Sequence, residues 1–340
     1  MNATATKAPV SSSMAVPAWR RAIINKSSWL PVVAGATLLI VMFSVAQVKF
    51  EGRFIKPGVI SSLFVDNAYL IILAAGMTLV IITGGIDLSV GAVMAYTDCL
   101  AAFLLRDHFP VWVVIPMVIL VGMVFGLITG ILVQFFNVQP FIASLAAMFL
   151  ARGLAYIAAQ RQIPVDNETI LGLNNNKIRF GDWYITPTVI IALVIVVIVA
   201  WTMAYSRFGR TVYAIGGGEQ SAKLMGLPVA RTKVLVYVIS GACSGVAGVV
   251  FISYTAAGYS LNGVGTELDT IAAVVIGGTI LTGGSGYVFG SLLGVLVFGG
   301  IKTFISFQGA EQSWTRIAVG VLLLAFVVVQ RLIVARANRR

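Results

Sequence analysis

The feature that most constrains this chain is a series of apolar runs, most of them close to twenty residues long, repeated from residue 30 to residue 333. Spanning the hydrocarbon core of a bilayer takes about 20 consecutive apolar residues in a helix. In order the runs are 30–48, 61–83, 86–105, 111–135, 139–160, 184–204, 234–254, 269–283, 286–306 and 313–333. The eighth is the short one. With 59% hydrophobic and 10% charged residues, the composition excludes an ordinary water-soluble domain. The expected fold is an all-α integral membrane protein with about ten transmembrane helices. Residues 1–29 read as a cytoplasmic tail, 30–333 as the membrane domain and 334–340 as a basic cytoplasmic tail. An even number of crossings puts both ends on one side.

The net charge of +11 acts as a topology signal. Four Lys/Arg lie in the N-terminal tail, five in the central loop 206–233 and four from Arg331 onward. The other side holds Lys49, Arg53, Lys56, Arg106, Arg161, Lys177 and Arg179, while Arg152, Lys302 and Arg316 lie within spans. Cytoplasmic loops carry the excess of Lys/Arg, so the bias predicts N-in, C-in. The basic balance does not point to nucleic acid, because no soluble module pairs a basic patch with aromatic platforms. Cys99 and Cys243 both fall in apolar runs and read as small core residues, without a disulfide or metal pattern. The chain has no Gly-x-x-x-x-Gly-Lys-[Ser/Thr] phosphate loop, no nucleophile–base set and a single histidine, His108. It is therefore not read as an enzyme, and no cofactor or metal is expected.

The central loop is the long polar, basic interruption of the second half. Arg207, Arg210, Lys223, Arg231 and Lys233 stand against one acid, Glu219. After Gly216-Gly217-Gly218, the residues Glu219, Gln220, Ser221, Ala222, Lys223, Leu224 and Met225 favour a short helix, with Glu219 at its positive end. Gly226 suits a left-handed C′ position, Leu227 the accompanying apolar contact, and Pro228 prevents continuation. Two helical turns are marginal alone in water, so this segment is expected to dock, with Ala222, Leu224 and Met225 as contacts. The alternative is a solvated connector between two spans.

Thr83-Gly84-Gly85 followed by Gly91 is echoed at the same spacing by Thr282-Gly283-Gly284 followed by Gly290. Paired glycine-broken segments point to an internal repeat and a transport pathway. The short match leaves tight-turn chemistry open as the alternative, and parallel or inverted halves undecided. Gly122, Gly126 and Gly130, then Gly286, Gly290 and Gly294, then Gly241 and Gly245 present bare helix faces for close packing. Packing within the chain is favoured over a subunit interface.

Polar groups inside apolar runs are the candidates for function. Asp87 and Ser89, in Gly-Gly-Ile-Asp-Leu-Ser, read either as a helix cap or as a substrate or gate group. Asp66 and Asn67 head the second run, and Glu267 and Asp269 the eighth, near the outer face. They read as caps or as contacts for a docking protein. Arg152 lies deep in its run and needs a partner.

Three motifs occur together: GGIDLSVGAVMA at 84–95, FGRTVYAIGGGEQSAKLMGL at 208–227 and ELDTIAAVVIGGTILTGGSG at 267–286. In combination they resemble the permease subunits of bacterial ATP-binding-cassette importers for simple sugars, the ribose and xylose permeases among them. The resemblance covers about residues 30–333. NETI at 167–170, GYSLNGVGTELD at 258–269 and SFQGAEQSWTRIAVGVLLL at 306–324 most resemble the galactofuranose-type permease that works beside a second, related permease. The resemblance implies a ten-helix fold in the bacterial inner membrane, surrounded by lipid. Its implied partners are a periplasmic sugar-binding protein, a cytoplasmic ATP-binding subunit and a second permease. It also makes 217–226 the ATPase-coupling region. Sugar transport draws on aromatic and amide groups, and Asn67, Tyr69, Tyr96 and Tyr254 are available in the spans. A pentose, a nucleoside-like solute, or a stand-alone secondary transporter coupling Asp87 with Arg152 are the alternative readings.

Overall fold

The computed structural model describes residues 30–309 and, beyond them, 313–314, 316–321, 323–325 and 328. Both predicted tails, and part of the tenth run, lie outside the described residues. The helices are α1 (Leu30–Lys49), α2 (Pro57–Asp66), α3 (Ala68–Ile82), α4 (Val90–Arg106), α5 (Val111–Gln134), α6 (Pro140–Ala158), α7 (Glu168–Asn175), α8 (Pro187–Tyr205), α9 (Arg207–Gly217), α10 (Glu219–Leu224), α11 (Val229–Thr255), α12 (Thr266–Ile276) and α13 (Val288–Phe307). Two antiparallel pairs of short strands accompany them: β1 (Ile163–Pro164) with β4 (Ala257–Gly258), and β2 (Ile178–Phe180) with β3 (Trp183–Ile185). By length and composition five helices can cross a membrane: α5, α6, α8, α11 and α13. The pair α2–α3, bent by 54°, makes a sixth candidate.

Local chemistry explains several boundaries. Pro57, Pro140 and Pro187 open α2, α6 and α8, where a missing N–H costs nothing and the ring presets φ. Packing then follows glycine. Gly122 and Gly126 of α5 face Gly241, Gly245 and Tyr237 of α11 so closely that a Cβ on any of these four glycines would meet the partner's backbone. Gly290 and Gly294 of α13 do the same against Gly277 and Ala273. These stripes thus bring backbones together within the chain. The outward faces of α5, α6 and α8 carry Leu120, Leu127, Phe149, Ile157, Val197 and Ile198, a surface suited to lipid tails.

Three crossings depart from the uniform spans expected. The second begins at Pro57 and breaks at Asn67, so Asp66 and Asn67 sit at a bend inside the crossing and not at its head. In the third, helix starts only at Val90, after turns and irregular chain through 83–89. In the eighth, helix covers only Thr266–Ile276, so the last seven residues of the run 269–283 are turn and irregular chain; before it the chain leaves α11 through left-handed Ala256 (φ +55°) and turns through 257–265. Gly91, the second residue of α4, packs against Gly263 and Glu267, so the starts of these two short helices lie side by side. Apolar periodicity does not fix where helix begins or ends inside a run, which is why the third and eighth runs read as helix throughout.

The two Thr-Gly-Gly segments meet. The Gly284 N–H donates to the Ile82 carbonyl at 2.9 Å, and left-handed Gly84 (φ +81°), Gly283 (+85°) and Gly284 (+80°) make the turns possible. The turns that follow α3 and α12 therefore form one junction. The β1–β4 pair joins loops that leave α6 and α11 at their C-terminal ends.

Candidate functional site

At the glycine-turn end the basic loop folds into an elbow of two helices. Sequence reasoning found the second, α10, and missed the first, α9. The signal was present: Ser206 caps α9, its Oγ accepting from the Gly209 N–H at 3.0 Å, and the helix runs on through Gly216 and Gly217. Gly216 lies on the Ile82 carbonyl and the Gly284 backbone, with no room for a side chain. The Tyr213 hydroxyl donates to the Gly286 carbonyl at 2.8 Å. One helix is thereby fastened to both Thr-Gly-Gly turns.

Gly218 links α9 to α10, whose end has the predicted form. Gly226 is left-handed (φ +74°), its N–H donates to the Lys223 carbonyl, and the Leu227 N–H donates to the Ala222 carbonyl at 3.1 Å. The two faces of α10 differ. Ala222 is buried against Ile215 and Val229 of the same chain, with Leu227 packed beside them. Leu224 and Met225 are 90% and 66% exposed. The expected contact set thus splits into one residue that seats α10 on its own chain and two that face away. Glu219 pairs with Lys223 at 2.8 Å and Lys233 at 3.0 Å, while Gln220 and Ser221 stay at the surface. The hydrogen bond from Lys223, joined by Lys233 and against partial burial, holds the Glu219 carboxyl below its usual range. A lowered carboxylate keeps its pairing at neutral pH and loses it only as pH falls through the depressed value.

Inside the crossing, Asp87 is buried and bonded on both oxygens. Oδ1 accepts from the Ser89 N–H at 3.0 Å and from Ser89 Oγ at 2.6 Å; Oδ2 accepts from Ser240 Oγ at 2.9 Å. This ties the non-helical 83–89 segment to α11. The neighbouring Tyr237 hydroxyl is buried without a hydrogen-bond partner and lies against Gly85.

A second polar hub closes the loop after α11. The Arg152 guanidinium donates to the carbonyls of Asn262 (2.7 Å), Gly263 (2.8 Å) and Ser260 (3.4 Å), and stands 3.8 Å from Glu267. Asp98, which sequence reasoning did not single out, is fully buried and accepts from the Asn262 amide at 2.7 Å. An acid within an apolar run was the available signal. Removing Arg152 would strip three carbonyls and a mostly buried carboxylate of their partner, at a cost on the order of 3 kcal/mol. Arg152→Ala should lower the amount of assembled protein and its transport, measured together, while Arg179→Ala on exposed β2 should leave both near normal.

The remaining candidates separate. Asn67 is buried, its amide donating to the Leu63 carbonyl and packing on Gly299. Tyr96 stacks edge-on against Phe125 at 5.9 Å. Asp66 is exposed at the bend before α3, Tyr254 lies in the last turn of α11, and Asp269 lies 3.9 Å from Lys302. No group of three or more His, Cys, Asp or Glu able to hold a metal occurs among the described residues.

The sequence model for the family described as the permease component of branched-chain amino acid transport systems matches residues 59–327. The chain belongs to this permease family. Among its relatives, the fructose import permease of Bifidobacterium longum is 46% identical over 90% of this chain and 92% of its own length. The inner membrane ABC transporter permease YjfF of Escherichia coli is 40% identical, over 91% and 93%. The ribose import permease of E. coli is 32% identical, over 89% and 94%. No solved structure matches. This permease is a multi-pass protein of the inner membrane and a transport subunit.

Proposed function

We propose that this permease is the membrane subunit of an ATP-binding-cassette importer that carries a simple sugar, of galactofuranose type, from periplasm to cytoplasm. The observation that carries the reading is α10: a capped helix, too short to persist alone, whose outward face is Leu224 and Met225 and whose inner face rests on its own chain. A cytoplasmic ATP-binding subunit is the partner that takes that face, at residues 217–226. Relatives named for import of fructose and of ribose support the solute class. A periplasmic binding protein delivers the sugar at the β1–β4 end, and a second, related permease completes the pathway. Ten crossings, N-in and C-in, are the topology of this reading.

Purification of the complex from cells should bring down an ATPase, and hydrolysis in proteoliposomes should rise when loaded binding protein is added. Sugar uptake that persists with no ATPase subunit would replace this reading with a stand-alone carrier. Such a carrier would couple Asp87 with Arg152, whereas here the two have separate partner sets. The orientation is checked separately: in intact cells a cysteine at Asn175 should react with an impermeant thiol reagent and one at Ser221 should not. The reverse pattern would invert the topology.

A further inference from the structure

A cavity of about 440 Å³ lies where three elements meet at the glycine-turn end. Met203 and Ala204, in the last turn of α8, form one wall. Arg210 and Tyr213 of α9 form the second, and Phe289, at the start of α13, the third. The turn 284–286, to which the Tyr213 hydroxyl is bonded, completes the lining. Residues 217–226, the proposed ATPase contact, take no part in it.

Depth and charge together name the ligand. On α8, Val194, Ile198, Trp201 and Tyr205 are exposed three or four positions apart, so they share one stripe of the helix. Val194 and Ile198 suit lipid tails. Trp201 and Tyr205, with rings 6.4 Å apart, are the residue types that settle at headgroup level. The cavity opens at that level, because Ala204 and Phe289 on its rim are exposed. Arg210 is the one charged side chain among the described residues that line it. Its guanidinium reaches the Tyr205 carbonyl at 3.4 Å, and among the described residues it has no carboxylate partner. Glu219, the acid of the same loop, is taken by Lys223 and Lys233.

A bare hydrocarbon chain in this cavity would leave the guanidinium without a counter-charge. A free anion would leave the wall of Met203, Ala204 and Phe289 unfilled. An amphiphile with an anionic head matches both. Cavities that hold small molecules run from about 300 to 1,000 Å³, so this one takes a headgroup and the start of its tails. Basic pockets between transmembrane helices are where acidic headgroups bind.

We propose that this cavity binds one anionic phospholipid, with its phosphate on Arg210 and its acyl chains along the exposed stripe of α8. The lipid bridges α8, α9 and the turn before α13, and so braces the elbow against the paired turns from the membrane side. The leaflet follows from the proposed orientation; the binding itself does not depend on the import reading.

Native mass spectrometry of the full-length permease, with any subunits that purify with it, reads lipid retention directly. The probes are phosphatidylglycerol and phosphatidylethanolamine with the same acyl chains. Glycerol phosphate and inorganic phosphate serve as competitors without tails. Phosphatidylglycerol should be retained about fivefold more strongly, the factor that one basic side chain near a bilayer surface contributes. Arg210→Gln should abolish the preference and Arg210→Lys should keep most of it. Arg207→Gln, exposed on the same helix but off the cavity, should keep it in full. Ala204→Trp should fill the mouth and lower retention. Arg210 and Ala204 are both exposed, so neither change should disturb folding. Equal retention of the two lipids overturns the proposal, as does a preference that survives Arg210→Gln. Competition by either phosphate without tails overturns it too, making the cavity a site for soluble anions. Loss of a co-purifying subunit from Ala204→Trp, with lipid retention unchanged, would make the cavity a protein contact instead.

Discussion

Replacing Gly216 with Ala should reduce sugar uptake by about 5–150-fold, the range of a coupling loss of 1–3 kcal/mol. The direction runs against intrinsic preference. Within a helix, Ala is favoured over Gly by about 0.5–1 kcal/mol, so a freely solvated α9 would gain stability. Here the added Cβ would meet the Ile82 carbonyl and the Gly284 backbone, neither of which can swing aside as a flexible side chain would. Either α9 lifts from the paired turns or the turns part. Insertion should be unaffected, since Gly216 lies between crossings. Gly153→Ala on α6, where nothing lies within 4 Å, is the matched control and should transport normally. Uptake and ATPase stimulation by binding protein are the measurements. Normal values for Gly216→Ala would mean that the contact between elbow and turns carries no motion.

Leu224→Glu should release the ATPase. An exposed surface substitution shifts fold stability by no more than about 0.5 kcal/mol, so the chain itself should be unharmed. If Leu224 anchors α10 in a pocket of the ATPase, burying a charge there should cost about 2 kcal/mol or more, roughly a thirtyfold loss in affinity. Gly226→Val attacks the same link from within. Its position is open in space but left-handed, so a β-branched residue should cost about 1–2 kcal/mol and unwind the end of α10. Co-purification of the ATPase should fail for Leu224→Glu, and stimulation by binding protein should fall for both variants. ATPase recovery and stimulation equal to the unsubstituted complex in both would make the elbow a connector only.

Some features of this protein were determined by sequence alone, because their physics is local. Run length set the membrane class, and the end of α10 was legible residue by residue, since its capping bonds join groups only two to five positions apart in the chain. The Thr-Gly-Gly echo was legible as a pattern, though not as a contact. What the tertiary structure decided depends on groups far apart in the chain. Gly84 and Gly283 touch across almost two hundred residues, and that contact, not the echo, makes the two turns one junction. Ala222, Leu224 and Met225 looked alike as apolar residues of a short helix; only the packing of Ile215 and Val229 separated the buried one from the exposed two. Asn67 and Tyr96 were equivalent to Tyr254 on residue type. A backbone carbonyl takes the Asn67 amide and Phe125 takes the Tyr96 ring, while Tyr254, in the last turn of α11, keeps part of its surface open. Within the third run, hydrophobicity did not separate 86–89 from the helix that follows, because apolar residues are compatible with non-helical backbone wherever neighbouring elements satisfy its hydrogen bonds, and those neighbours exist only in the folded chain.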